Sequence, residues 1–258
     1  VGVADHNAIE PLMLGIAVFG LVVAFQKAEA TMPVWEVVYE EVFDNHDIDS
    51  IEEPLKWGLI GGVLTGLYLW TWPPGIILVG IVGVFTILKI SSDVVNEQTP
   101  EPTAFAVVVI MIVVAIMSLI AIDRVSFDTT SLSLLQPVAA VGVASSAIAL
   151  SWLARVWEQR NIDTSLYPVA VAGFTTVGVA VLSLLQFGLV DLIVGNLLRI
   201  VGFSAGAATR TIGEAQPFVS PGSLRRFGVS IPGRIAVEYG LTFFTGLAAA
   251  FILHAKPL

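Results

Sequence analysis

The chain of 258 residues is 56% hydrophobic and 13% charged, with a mean hydropathy of +0.87. Soluble domains hold about 45–50% apolar and about 25% charged residues, so this composition excludes the soluble class and points to an integral protein of the lipid bilayer. There is no cysteine, which excludes disulfides and thiolate chemistry, and with a formal charge of −9 nucleic acid is not expected as a partner.

The chain begins with Asp5-His6-Asn7-Ala8-Ile9-Glu10-Pro11. Asp5 and Asn7, two residues apart in an extended or turn segment, offer two oxygens to one hard divalent cation. An Asp or Asn ahead of an apolar run is equally a helix cap, and the string alone does not separate the two. His6 is left unassigned.

Seven apolar stretches follow, over 11–26, 56–72, 75–90, 104–122, 137–154, 167–187 and 234–254. Stretches of this length and apolarity predict transmembrane helices, the short first and third being tilted, longer than these bounds or packed inside the bundle. The fold class expected is an all-α polytopic membrane protein. Pro54 precedes the second stretch, Trp72-Pro73-Pro74-Gly75 turns it into the third, and Pro100 and Pro102 precede the fourth. Pro137 and Pro168 fall near helix starts, where a missing N–H costs little. No internal repeat stands out.

Between the first two stretches, Glu29, Glu36, Glu40, Glu41, Asp44, Asp47, Asp49, Glu52 and Glu53 run without a Lys or Arg. This segment, 27–55, reads as a solvated acidic loop with a short amphipathic helix near Val34–Val42. With residues 1–10 outside, Lys27, Lys56, Lys89, Arg155, Arg160 and Lys256 fall inside. Arg124, Arg199, Arg210, Arg225, Arg226 and Arg234 then fall outside, five of them on or bordering one long segment, where charge counts little toward orientation. Asp5 and Glu214 then share the external face, six stretches apart.

The segment 188–233 opens with Leu189–Phe203, which is suited to lie along a membrane surface. It continues through small residues and Arg210 to Thr211-Ile212-Gly213-Glu214. Long connections of this kind tend to carry function, and the small residues permit close backbone approach to a ligand. Thr211–Glu214 has the form of a helix capping box as well as of a ligand motif. Arg210 suits an anionic phosphate, and equally a surface loop. Arg199, Arg225 and Arg226 read as snorkelling or lipid contacts, Arg234 and Glu238 as a local ion pair, and Trp57, Trp70 and Trp72 as an interfacial belt.

Taken in order, three strings resemble one family. Asp5-His6-Asn7-Ala8-Ile9-Glu10 is similar to the DHHxxE-type motif of the second large external loop of oligosaccharyltransferase catalytic subunits. Gly66-Leu67-Tyr68-Leu69-Trp70-Thr71-Trp72 resembles the GLYxxTW helix that follows it, and Thr211-Ile212-Gly213-Glu214 their TIxE motif. The acidic segment and the run from Gly202 to Pro217 look most like the haloarchaeal type.

The resemblance implies a GT-C type membrane domain of about seven helices with a long external loop, 188–233. It implies a multi-pass protein of the cell membrane with its active site outside. The activity implied is transfer of a dolichol-phosphate-linked oligosaccharide to the asparagine of Asn-x-Ser/Thr in an acceptor polypeptide, with inversion. A divalent cation, Mn2+ or Mg2+, would be held by Asp5 and Asn7, and Glu214 would contact the acceptor amide, Asp5 also counting as catalytic. Asn7 departs from the pattern, standing where relatives carry His or an acid; a neutral amide predicts weaker metal binding. The family's first-loop aspartate and its Trp-Trp-Asp-Tyr-Gly motif are absent from these 258 residues. The chain is therefore expected to be a central fragment of a larger enzyme and inactive alone. A polytopic transporter or another lipid-linked-sugar glycosyltransferase are the alternatives.

Overall fold

The computed structural model describes residues 6–31, 34–39, 49, 51–122 and 125–184. Contacts divide the chain into two compact units, 1–177 and 178–258. The described residues belong to the first unit, except for the last turns of the helix that ends at Leu184. The segment 188–233 and the seventh predicted span, 234–254, lie outside the described residues.

Among the described residues there are helices and no strand. They are α1 (His6–Thr31), α2 (Trp35–Tyr39), α3 (Glu52–Thr71), α4 (Ile76–Val95), α5 (Glu101–Ile120), α6 (Leu135–Gln159) and α7 (Tyr167–Leu184). Four stretches are long and apolar enough to cross a membrane: Ile9–Thr31, Pro73–Val95, Glu101–Ile120 and Leu135–Gln159. α3 matches the second predicted span in length but is diluted by glycines and aromatic residues, and it is not one of the four. The first helix begins at His6, so positions 6–10, expected as loop, are its first turns.

The proline signals set the boundaries. Pro54 lies in the first turn of α3, beside Glu52 and Glu53, whose charges suit the helix N-terminus. Trp72, ahead of Pro73, is forced out of the helical region to φ −145° and ψ 91°, which ends α3. Pro73–Gly75 then makes one 3-10 turn into α4. Pro100 caps α5, with Pro102 inside its first turn.

Ion pairs fix the directions of the helices. Lys27, near the end of α1, meets Glu53 at the start of α3 at 3.0 Å. Lys89, near the end of α4, meets Glu29 of α1 at 3.0 Å. Arg155, near the end of α6, meets Glu101 at the start of α5. Thus α1, α4 and α6 run one way and α3 and α5 the other. Four of the cations expected on the inner side, Lys27, Lys56, Lys89 and Arg155, gather at one end, each beside a carboxylate.

α5 is the central helix, packed against α1, α3, α4 and α6. Every residue from Glu101 to Val107 is buried, and the buried row continues through Ile110, Met111, Val114, Ala115 and Ser118. Outward faces stay apolar: Phe19, Ile81, Leu88 and Trp152 are each more than half exposed, as suits helices bathed in lipid.

Small residues bring the backbones together where lipid removes the usual hydrophobic drive. Gly20 of α1 faces Gly61 of α3, whose Cβ would lie 3.1 Å from the Gly20 carbonyl oxygen. On the neighbouring face of α3, Gly58, Gly62 and Gly66 receive Val109, Val113 and Met117 of α5. Buried Thr65 satisfies its hydroxyl on the Gly61 carbonyl at 2.8 Å, so no polar group is stranded at this crossing. A Cβ at Gly62 would stand 2.6 Å from the Val113 Cβ and 2.9 Å from the Ile110 carbonyl oxygen, which only separation of α3 and α5 relieves. Gly62→Ala is therefore expected to cost about 1–3 kcal/mol. Gly80→Ala, where nothing lies within 4 Å of the new methyl, should be neutral or stabilising. Thermal unfolding of the intact protein in detergent separates the two, and equal shifts would refute the close-packing account.

Candidate functional site

The end of the bundle opposite the ion pairs carries the first turn of α1, the ends of α3 and α5 and the starts of α4 and α6. Asn7 lies on that first turn of α1, in helix rather than in the extended or turn segment expected. Pro11 falls inside the same helix. It has no N–H, and position 11 is where the donor to the Asn7 carbonyl would stand, so that main-chain oxygen lacks its i+4 partner. Asp5, Arg210, Thr211, Ile212, Gly213 and Glu214 lie outside the described residues.

The Gly66–Trp72 string forms the wall beside this turn. Gly66 lets α3 close on Met117, and the Trp70 indole N–H donates to the Met117 carbonyl at 3.1 Å, tying the ends of α3 and α5 together. The Trp72 N–H donates to the Tyr68 carbonyl at 2.9 Å, and the two rings lie tilted, 6.1 Å between centroids. Tyr68 is 3% exposed. Gly75 is needed under it, because a Cβ there would stand 2.5 Å from the ring. The Glu10 carboxylate lies close enough to the Tyr68 hydroxyl to act on it electrostatically. Trp70 and Trp72, read from sequence as membrane-interface residues, thus also brace this end.

The connection from α5 to α6 at the same end is tightly folded. The Thr130 N–H donates to Asp128 at 3.0 Å and holds its carboxyl below the usual carboxylate range. Gln136, fully buried, accepts the Ser133 N–H at 2.9 Å and donates to the Ser131 carbonyl at 2.9 Å. These contacts satisfy the turn internally.

At the other end, the acidic segment is docked rather than simply solvated. The Trp35 N–H donates to the Glu101 carboxylate at 2.9 Å, its indole N–H donates to Ser151 Oγ at 3.1 Å, and its ring packs 6.3 Å from Phe105. Arg155 bridges Glu101 and Glu36, and its guanidinium holds the Glu36 carboxyl below the usual range. The α2 helix that results is shorter than the 34–42 expected. Two cavities open at this end: about 650 Å³ lined by Glu97, Glu101, Arg155, Glu158 and Asp163, and about 500 Å³ lined by Glu29, Lys89, Asp93 and Thr103. Both are far from the motif turn, and their cations are already engaged by carboxylates. Among the described residues no three His, Asp or Glu side chains gather to hold a metal. Sequence reasoning missed Glu101 and Tyr68 as individual residues; an acid placed between Pro100 and Pro102 at a helix start was the available signal for the first.

No family model matches the chain. Over all 258 residues it is 47% identical to the dolichyl-monophosphooligosaccharide–protein glycotransferase AglB of Haloferax volcanii. The chain is homologous to a segment of archaeal AglB. It spans 24% of the length of that AglB. In fold it is similar to AglB from Archaeoglobus fulgidus in complex with an inhibitory peptide and a dolichol-phosphate, with a TM-score of 0.59, 20% identity, and coverage of 85% of this chain and 23% of that one. It is also similar to the A. fulgidus oligosaccharyltransferase tethered to an acceptor peptide containing the NVT sequon, with a TM-score of 0.55 at 20% identity over 71% of this chain and 21% of that one. The family resemblance of the three strings is thus supported along the full length of the chain, with the AglB fold around α1 to α7.

Proposed function

We propose that the chain is the central part of an oligosaccharyltransferase that transfers a dolichol-phosphate-linked oligosaccharide to the asparagine of Asn-x-Ser/Thr in an acceptor polypeptide. The observation that carries this reading is the 47% identity to AglB across every residue of the chain. The described helices, together with 234–254, then make seven spans of a GT-C type domain in the cell membrane. The ion-paired end faces inward and the turn with Asn7 outward, which brings Asp5 and Glu214 to one external face.

The donor set fits a hard divalent cation, Mn2+ or Mg2+. Asp5 supplies a carboxylate, Asn7 an amide oxygen, and Pro11 leaves the Asn7 main-chain oxygen without its helical donor. When bound, such a cation offsets the negative charge that develops on the departing dolichol phosphate. The chain's own residues bind and orient. Glu214 accepts a hydrogen bond from the acceptor side-chain amide, whose nitrogen is a poor nucleophile while its lone pair is delocalised into the carbonyl. Gripping the N–H bonds from two sides twists the amide and frees that lone pair. Arg210, next to the motif, faces the donor phosphate as a bidentate partner. Attack on the anomeric carbon from the face opposite the phosphate inverts its configuration.

The test uses the intact enzyme with a dolichol-phosphate-linked oligosaccharide and a peptide containing Asn-x-Thr. Mass spectrometry should show the glycan on the asparagine, and none on a Gln-x-Thr peptide. Removing divalent cations with EDTA should reduce transfer to background and added Mn2+ should restore it. Transfer that persists in EDTA would refute the metal-dependent part, and no transfer with Mn2+ present would refute the activity.

A further inference from the structure

Asn7 poses a problem of charge. A neutral amide stands where the motif calls for a stronger ligand, so one carboxylate, Asp5, would be left to hold a doubly charged ion. Glu10 is placed to correct this. Positions 7 and 10 are three apart on α1 and share a helix face, and Cα–Cβ bonds lean toward the helix N-terminus, so Glu10 leans back over the first turn. The face it occupies is fixed by a second element, since its carboxylate lies within electrostatic reach of the Tyr68 hydroxyl.

Tyr68 is built in, not incidental. Its ring is 3% exposed, seated on Gly75 and against Trp72. Its carbonyl is used by the Trp72 N–H, yet no described residue hydrogen-bonds to its hydroxyl. A buried phenol is expected to find a partner. Here the open hydroxyl faces the end of the bundle where Glu10, and the Asn7 main-chain oxygen released by Pro11, are found.

We propose that Glu10 is a further anionic residue of the cation site at the outer end of the bundle, oriented by the buried Tyr68 hydroxyl, and that it supplies the charge Asn7 lacks. Glu10 acts on the ion directly or through a water it holds. Tyr68 is a positioning residue that fixes where the carboxylate points. The proposal rests on the oligosaccharyltransferase reading above.

The test is Mn2+ binding by the detergent-solubilised intact enzyme, read from the electron paramagnetic resonance of free Mn2+, alongside the Mn2+ dependence of peptide glycosylation. Glu10→Gln should weaken Mn2+ binding by about tenfold or more and raise the half-saturating Mn2+ by the same factor. Tyr68→Phe, which keeps the ring, should weaken it by about threefold to tenfold. Glu10→Asp should fall between wild type and Glu10→Gln. Asp5→Ala is the control. If Asp5→Ala loses Mn2+ while Glu10→Gln binds it as wild type does, this proposal is overturned and the motif site stands. If both variants bind as wild type, the motif is no metal site and both readings fall. Should Glu10→Gln unfold, Tyr68→Phe decides the pairing: wild-type Mn2+ affinity there overturns it.

Discussion

Replacing Glu214 by Gln in the intact enzyme is expected to lower sequon glycosylation by about 100-fold to 1,000-fold, the loss typical of removing one group aimed at the reacting centre. Gln keeps the size of the side chain and one acceptor oxygen, so the difference is the charge and the second oxygen. An acceptor amide gripped by two carboxylates is gripped by one in the variant, and its nitrogen stays conjugated. The amount of enzyme in the membrane should not change, because an external loop glutamate has no role in helix packing. The loss should appear in kcat more than in the KM for peptide, since the interaction strengthens as the amide twists. Measurement is by single-turnover transfer to a fluorescent Asn-x-Thr peptide, with immunoblotting for expression. Normal turnover by Glu214→Gln would remove this glutamate from the acceptor site.

The helices were largely legible because their limits are written in residues with one conformational meaning. Pro54, Pro73, Pro74, Pro100, Pro137 and Pro168 each stand within a turn of a helix start. The expected 56–72 is α3, Glu52–Thr71, and the expected 104–122 is α5, Glu101–Ile120. Errors arose where apolarity stops before the helix does. The first span, expected over 11–26, runs to Thr31, and the third, expected over 75–90, continues to Val95. Lys27 and Lys89 ended the apolar stretches, but each is paired with a carboxylate and costs the helix nothing.

Partners across the bundle were not legible. Glu101 and Arg155 are 54 residues apart, and no local pattern tells Glu101 that its neighbour is on α6. The GxxxG-like spacing of Gly58, Gly62 and Gly66 marks a close-packed face but does not say which helix fills it; Val109, Val113 and Met117 do. For the candidate site the order was reversed. Local strings named Asp5, Asn7 and Glu214, because a ligand motif is short and its chemistry sits in a few atoms. The setting of Tyr68 against Gly75 and Glu10 needed coordinates, since it joins three separate elements.

Replacing Arg155 by Met should destabilise the protein by about 3–5 kcal/mol, the cost of leaving a buried charge without its partner. The charge left behind is Glu101, whose side chain is 4% exposed at the first position of α5. Its remaining hydrogen bond from the Trp35 N–H, at 2.9 Å, and the positive end of the α5 dipole offset only part of that cost. Glu36→Gln removes the other, exposed partner of Arg155, and an exposed pair is worth about 0–1 kcal/mol. The two variants therefore separate the buried contact from the surface one. Glu101→Gln in the Arg155→Met background is the decisive addition. A neutral amide still accepts the Trp35 N–H, so the double variant should recover most of the stability lost by Arg155→Met alone. Thermal unfolding in detergent, run as a double-mutant cycle, reads the coupling. Simple additivity of the two substitutions would mean that Arg155 stabilises the bundle by packing its stem, not by neutralising Glu101. Coupling would instead mark this contact as what docks α2, and with it the acidic segment, against the start of α5.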